Sequence, residues 1–259
     1  MSASHRRFSM TSSSPDNRLS QIQTLWTVVC QAHGAGPAEA VASAQEQLLA
    51  RYGKVVQRYL LGALRDADAA DELAQEFALR FVRGDLKGAD PQRGRFRDYL
   101  KGTLFHLIGD WHRRRRKEPL PLPAEHDPAA SDSAATESEE HFLESWRAEL
   151  LDRAWKGLAA HEQETGQPYH RVLHFRAQHP EMRSEEMAEK LTDSLGRAVT
   201  AASVRQTLHR AREKFADLLL EEIRHTLRTP SVDEMEEELA AIGLHVYCEP
   251  ALAKLRGTG

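Results

Sequence analysis

The stretch from Gly94 to Lys117 combines a helical apolar pattern with a dense positive charge. Mostly apolar residues recur there at steps of three and four, the spacing that lines one side of an α-helix: Phe96, Leu100, Thr103, Leu107 and Trp111. The stretch ends in five consecutive cations, residues 113–117, which suit a phosphate backbone. Its aromatic side chains are of the kind that stacks on unpaired bases: Phe96, Tyr99, Phe105 and Trp111. The stretch therefore predicts a helix that packs on a core by one side and contacts nucleic acid by another.

A basic run also has plainer explanations. Cations are favourable at the end of any helix because of its dipole, and basic runs also serve as localisation signals. The net charge of the 259-residue chain is −4, so contacts with DNA must come from local patches. The two cysteines, Cys30 and Cys248, form no CxxC pair, which indicates a reducing compartment without a disulfide framework or a thiolate zinc site. With no apolar run long enough to cross a bilayer and no secretory signal, we expect a cytoplasmic protein.

Helical periodicity recurs along the chain without a notable strand pattern, so the predicted fold class is all-α, with two helical domains. Residues 1–18 are polar and Ser-rich and are predicted to be disordered. A short helix from Leu19 opens the first domain, residues 19–117. Residues 118–140 contain four prolines and seven acidic residues and predict an extended acidic linker. The second domain is residues 141–228, and the extension 229–259 starts as an acidic amphipathic helix that either packs or covers a basic surface.

Residues 184–223 of the second domain are predicted to form a helix-turn-helix. Gly196 ends the first helix, and Thr200 caps the second. The buried stripe of the second helix consists of Val204, Leu208, Ala211, Phe215, Leu218 and Ile223. The polar side chains displayed near its start are Arg205, Gln206, His209, Arg210 and Arg212. This is the geometry that places side chains in a major groove, although two capped helices also occur in many bundles.

An acidic helix precedes the basic stretch in the first domain. Asp66 or Asp68 is available as its N-cap. One side of this helix is polar and mainly acidic, with Asp71, Glu72, Gln75 and Glu76. Such a surface is either an ordinary solvated face or a docking surface for an arginine-rich partner.

In motif and order, the chain resembles the extracytoplasmic-function sigma factors, bacterial initiation subunits of RNA polymerase in the sigma-70 family. The segments that carry the resemblance are DADAADELAQEFALRFVRG, DPQRGRFRDYLKGTLFHLIGDWHRRRRK and TAASVRQTLHRAREKF. The resemblance implies two helical domains, the first binding and melting the minus-ten promoter element and the second binding the minus-thirty-five element. It also implies no catalytic activity and no cofactor. The expected partners are promoter DNA and core RNA polymerase, through its clamp helices and flap, and an anti-sigma protein or other regulator is left open.

The resemblance assigns roles residue by residue. The positions implied for polymerase docking are Asp71, Glu72, Gln75 and Glu76. Those implied for the minus-ten element are Arg95, Phe96, Arg97, Tyr99, Lys101, His106, Arg113, Arg114, Arg115 and Arg116. Those implied for the minus-thirty-five element are Thr200, Ser203, Arg205, Gln206, His209, Arg210 and Arg212. The chain departs from the family pattern at His106 and in the longer turn between Leu191 and Thr200.

Three other interpretations remain open at this stage. A metal site or an enzyme is a weak alternative, based on histidine groupings such as His106 with His112, or His170 with His174 four residues apart. The stronger alternative is a helix-turn-helix regulator that binds duplex DNA without polymerase, usually as a dimer. A helical scaffold without a DNA role leaves the arginine-rich helix end unexplained.

Overall fold

The structure, a computed structural model, describes residues 28, 32, 37–85, 95–117, 130–227 and 230–257. Over these ranges its helices are α1 (Ala38–Leu64), α2 (Ala67–Val82), α3 (Phe96–Lys117), α4 (Ala130–Thr165), α5 (Tyr169–Gln178), α6 (Ser184–Leu195), α7 (Ala201–Thr226), α8 (Val232–Ala241) and α9 (His245–Arg256). The described ranges contain no β-strand, and the predicted all-α class is confirmed. Val28 and Ala32 of the predicted leading helix are helical and buried, whereas residues 1–18 lie outside the described ranges.

Short-range hydrogen bonds set several helix ends. The Asp66 carboxylate accepts from the backbone N–H of Ala69 at 3.1 Å, which confirms Asp66 as the N-cap of α2. Gly196 ends α6 with a φ of 63°, a left-handed conformation that glycine adopts without steric strain. The Thr200 hydroxyl accepts from the N–H of Ser203, and the Ser203 hydroxyl accepts from the N–H of Thr200, both at 3.1 Å. This reciprocal pair confirms Thr200 as the cap of α7.

The larger of two hydrophobic cores joins α1, α2 and α3 to the first half of α4, the second half of α7, and α8 and α9. Trp146 of α4 is 1% exposed, and its ring stacks on Tyr52 of α1 with centroids 5.4 Å apart. Tyr52 in turn lies 4.8 Å from the ring of Phe96, the first residue of α3. The basic helix α3 is therefore anchored at its N-terminal end by aromatic packing from two other helices.

The second core lies among the C-terminal part of α4, α5, α6 and the N-terminal part of α7. Its buried residues are Leu158, Val172, Leu173, Met187, Ala188, Leu191, Val204, Leu208 and Ala211. It holds α6 against α7 and fixes which side of α7 faces solvent. Because α4 and α7 each contribute to both cores, no described loop separates the two.

The extended linker predicted for residues 118–140 is wrong for residues 130–140, which form the first turns of α4. The prediction gave weight to proline and to repulsion between carboxylates. All four prolines of the segment, however, precede residue 130, and the sequence that follows contains alanine and glutamate, which favour helix. Acidic side chains are also favourable in the first turns of a helix, where the dipole is positive. Residues 118–129 lie outside the described ranges.

Candidate nucleic-acid interface

Helix α3 packs through a stripe that differs in one residue from the predicted one. Phe96, Leu100, Leu104 and Leu107 are all at most 3% exposed. Thr103 was predicted to lie in this stripe, but it is only half-buried and its hydroxyl donates to the carbonyl of Tyr99 at 2.9 Å. Trp111, at the end of the predicted stripe, is also half-buried. The helix is held by four apolar side chains near its first three turns, and its C-terminal end projects toward solvent.

The exposed cations of α3 are concentrated at this C-terminal end. The exposed cations are Arg113, Arg114, Arg115 and Arg116. His106, about two turns earlier in the same helix, is also exposed. The Arg115 guanidinium lies 4.7 Å from the centre of the Trp111 ring, a cation–π contact that fixes its direction. This end of α3 is therefore a surface of at least four positive charges next to an aromatic ring, suited to a phosphate backbone.

Of the aromatic side chains that the structure describes in α3, only that of Phe105 is largely exposed to solvent. Phe105 is 57% exposed, whereas Phe96 is 3% exposed and belongs to the larger core. Tyr99 is half-buried, and burial raises the pKa of its hydroxyl. Phe105 thus has the free ring face that stacking on a base needs. Phe105 is one of the four predicted stacking residues of this stretch, but it is not among the positions implied by the resemblance.

The acidic face of α2 lies beside the basic end of α3. Asp71, Glu72 and Gln75 are exposed, and Asp71 accepts a hydrogen bond from Gln57. The fourth residue, Glu76, is half-buried and accepts two hydrogen bonds from Arg114, at 2.7 and 3.3 Å. This contact raises the pKa of Arg114. The structure thus joins one residue implied for polymerase docking to one implied for DNA binding.

A surface groove of about 390 Å³ lies between these two helices. Its lining combines carboxylates of α2 with the arginines and tryptophan of α3: Asp66, Asp68, Ala69, Glu72, Trp111, Arg114 and Arg115. Elsewhere on α3, Arg113 bonds to Asp110, and this contact holds the pKa of the Asp110 carboxyl below its usual range. Burial and the neighbouring cations Arg116 and Arg115 lower the pKa of His112, so His112 adds no charge at neutral pH.

The other three cations implied for the minus-ten element face carboxylates of the same chain. Arg97 is 7% exposed, and its Nη1 lies 2.9 Å from Oε1 of Glu238. Arg95 contacts the same carboxylate, with 3.0 Å between its Nη1 and Oε2. Lys101 pairs with Glu139 at 2.6 Å, which lowers the pKa of Glu139. In this conformation these cations are engaged within the chain, and Phe96 and Arg97 are buried.

The first turns of α7 form the second basic surface. Arg205, Gln206, His209, Arg210 and Arg212 are all exposed, as predicted. Arg205 lies 3.3 Å from Glu185 of α6, and because both side chains are exposed, this ion pair adds little to stability. The hydroxyls of Thr200 and Ser203 are used in capping the helix. The exposed side chains without a described ion-pair partner, among them Arg210, are the ones best placed to reach a ligand.

The connection between α6 and α7 is shorter than the departure from the family pattern implied. Helix α6 continues to Leu195 and ends at Gly196, as predicted, so residues 196–200 form the turn, and the longer turn between Leu191 and Thr200 is not observed. The Thr192 hydroxyl accepts from the N–H of Val199 at 3.1 Å and ties the turn to the end of α6. The predicted stripe of α7 is buried at Val204, Leu208, Ala211 and Ile223 and half-buried at Phe215 and Leu218.

Two further features of the described residues concern metal ligands and helices that could span a membrane. The rings of His170 and His174 stack on each other at 5.4 Å and both meet the ring of Trp155 edge-on. No group of three or more potential metal ligands occurs among the described residues. Within the same part of the chain, no helix has the length and apolar character needed to span a membrane.

Comparisons with known proteins find no match for this chain among protein-family models, curated proteins or solved structures. The resemblance to extracytoplasmic-function sigma factors therefore depends only on the sequence motifs quoted above. Those motifs correspond to α2, α3 and α7 in the structure, and they enter the following proposal as a prediction.

Proposed function

We propose that this chain is a sigma factor that binds core RNA polymerase in the cytoplasm and directs promoter recognition and DNA melting. The observation that carries the proposal is the pair of exposed basic surfaces, one at the end of α3 and one at the start of α7. A protein that reads a single duplex site needs only one such surface. Two basic surfaces suit a protein that contacts two promoter elements, and the acidic face beside the first suits a contact with polymerase.

The first proposed unit contains α1, α2 and α3. Asp71, Glu72 and Gln75 are exposed and are the proposed contacts with the polymerase clamp helices. The arginines at the end of α3 neutralise phosphates of the duplex, which gives affinity without sequence preference. Phe105 and His106 lie side by side on the exposed face of α3. A free ring face and a polar ring edge are the groups that hold an unstacked base.

The second proposed unit is a helix-turn-helix made of α6 and α7, and it contacts the minus-thirty-five element. Arg205, Gln206, His209 and Arg210 project from the first three turns of α7, where a recognition helix presents side chains to base edges. Arginine bonds in a bidentate way to guanine and glutamine to adenine, so this set is able to read sequence. The two units are the two helical domains of the proposal; α1, α2 and α3 pack in the larger core, α6 and the start of α7 pack in the second, and α7 continues into the larger core.

Run-off transcription with core RNA polymerase tests the proposal. The purified full chain is added to bacterial core enzyme over a genomic promoter library, and the transcript starts are sequenced. We expect discrete new starts that share two spaced sequence elements. A variant with Asp71→Asn and Glu72→Gln should lose core binding, whereas Glu189→Gln, which removes an exposed carboxylate from α6, should retain it.

The same preparation distinguishes the main alternative. A regulator that acts without polymerase predicts tight, sequence-specific binding of the isolated chain to duplex DNA and no core-dependent starts. That pattern would refute the proposed function. Equal core binding by the Asp71/Glu72 variant and its control would instead move the docking surface away from α2.

A further inference from the structure

The C-terminal helices α8 and α9 are docked on the rest of the chain by apolar packing. Their side chains in the larger core are Met235, Leu239, Ile242, Leu244, Cys248, Ala251 and Leu252. Arg147 of α4 donates from its Nε to the carbonyl of Ile242 at 2.7 Å, so the end of α8 also has a polar tether. The sequence left open whether this extension packs or covers a basic surface. The structure shows that it packs, and it also shows what lies beneath.

Glu238 is the residue of α8 that meets the basic helix. Its side chain is 1% exposed, and its two oxygens face Arg97 at 2.9 Å and Arg95 at 3.0 Å. Glu237 adds a second carboxylate 2.8 Å from Arg95. The two arginines at the start of α3 are therefore neutralised by an element more than a hundred positions later in the chain, since Arg97 and Glu238 are 141 residues apart.

This arrangement has the chemistry of a phosphate site that is filled by a carboxylate. Two guanidinium groups around one anion are the usual protein partners of a nucleic-acid phosphate. Burial raises the pKa of Glu238, and the attraction of Arg97 and Arg95 offsets this only in part. The carboxylate is thus held at a considerable desolvation penalty, which lowers the net stability of the contact. An anion that keeps more of its hydration is able to compete for the same arginines.

We propose that residues 230–256 are a displaceable cover, in which Glu238 occupies the place of a single-stranded DNA phosphate at Arg95 and Arg97. The proposal rests on the proposed function, because the resemblance behind that function assigns Arg95 and Arg97 to the minus-ten element, the part of the promoter that is melted. In the closed chain the Glu238 contact withholds them from DNA. When the polymerase presents a melted strand, its phosphates take over the arginines and α8 moves away.

Cys248 supplies a direct readout of the cover. It lies on α9, is 0% exposed, and burial raises the pKa of its thiol to about 12. A thiolate is the reactive form, so a closed cover protects Cys248 from a thiol reagent. The experiment uses the full chain with Cys30→Ser, so that Cys248 is the only thiol, and follows labelling by a chromogenic disulfide reagent. We expect labelling to accelerate when a short single-stranded oligodeoxynucleotide is added at saturation.

A pair of charge-neutral variants tests the role of Glu238 itself. Glu238→Gln keeps the shape of the side chain and removes the charge, while Glu249→Gln removes an exposed carboxylate from α9 as the control. The readout is fluorescence anisotropy with the same labelled oligonucleotide. We expect Glu238→Gln to bind about tenfold more tightly than the control, since a bond to a charged group is worth roughly that factor. A thermal melt of each variant checks that the fold is retained.

The outcomes separate this inference from the proposed function. If DNA leaves the labelling rate of Cys248 unchanged, the cover is refuted even where Glu238→Gln binds more tightly, because loss of negative charge alone would tighten binding. Equal affinities of the two variants would refute it as well. Core-dependent transcript starts without any change in the labelling rate of Cys248 would support the proposed sigma-factor function and refute the proposed cover. Faster labelling without such starts would support the cover and refute the sigma factor.

Discussion

Two glycines of α1 should respond in opposite ways to the same substitution. An ideal Cβ at Gly53 meets nothing within 4 Å, so Gly53→Ala gains the full helix propensity of alanine. That gain is about 0.8–1 kcal/mol in a helix interior. At Gly62 the same Cβ would lie 1.6 Å from Nε2 of His141 and 2.2 Å from its Cε1. The imidazole must therefore leave its place.

The cost at Gly62 follows from what the His141 ring loses. The ring stacks on Tyr59 with centroids 6.0 Å apart and lies 3.8 Å from a carboxylate oxygen of Glu144. Overpacking of this kind costs typically about 1–3 kcal/mol. Because the propensity gain is common to both positions, Gly62→Ala should be less stable than Gly53→Ala by about 1–3 kcal/mol. In a chain of this length that difference lowers the melting temperature by roughly 2–4 °C per kcal/mol.

Urea denaturation followed by far-UV circular dichroism measures this difference. The double variant Gly62→Ala with His141→Ala should recover the propensity gain relative to His141→Ala alone, because the colliding ring is absent. Equal stability of Gly53→Ala and Gly62→Ala would show that His141 has another place to go at no cost. It would refute the predicted cost of displacing the His141 ring from Tyr59.

Three further outcomes concern the charged residues. On duplex DNA, Arg116→Ala should reduce the slope of log affinity against log salt by about 0.9, as one lost phosphate contact does; Arg114→Ala should reduce it less, because Glu76 neutralises Arg114, and Glu76→Gln should remove that difference. Arg210→Ala should reduce the discrimination between bases at one position of the upstream promoter element by about 1–3 kcal/mol. Equal loss of affinity for every promoter would instead make Arg210 a phosphate contact. The pKa of Glu238 is raised by burial above the value of about 4.3 that a carboxyl group has in the unfolded chain. Between these two pKa values the folded chain therefore binds a proton that the unfolded chain does not. The stability of the natural chain relative to Glu238→Gln should therefore increase as pH falls through the folded pKa, and urea titrations that show a flat or opposite trend would contradict this.

Local features of the fold were predictable because they depend on neighbours in the sequence. Thr200 was predicted as a cap and is one, and of the two candidates for α2, Asp66 and Asp68, Asp66 is the cap, since a cap needs only one hydroxyl or carboxylate and the next turn of backbone. The stripe of α3 was predicted nearly correctly. Its one error, Thr103 in place of Leu104, arose because steps of three and of four both stay on one side of a helix with 3.6 residues per turn.

Long-range features were not predictable in the same way. The start of α4 at Ala130 depends on a balance between helix propensity and repulsion between carboxylates, and the sequence pattern does not show which prevails. The contact of Arg97 with Glu238 depends on the tertiary course of the chain, because many carboxylates were available and no local pattern selects one. The exposed surfaces at the ends of α3 and α7 were predictable, since amphipathic periodicity identifies the face that a helix buries.

The continuity of α4 and α7 through both cores bears on how the molecule folds. A fragment that ends near residue 117 would lack Phe142 and Trp146, and the rings of Tyr59 and Tyr52 that pack against them would face water. Neither half is therefore expected to reach a stable state by itself, and denaturation should be a single cooperative transition. The two basic surfaces then form or are lost together. A destabilising change anywhere along the two shared helices lowers the population of the whole folded chain rather than disrupting one surface.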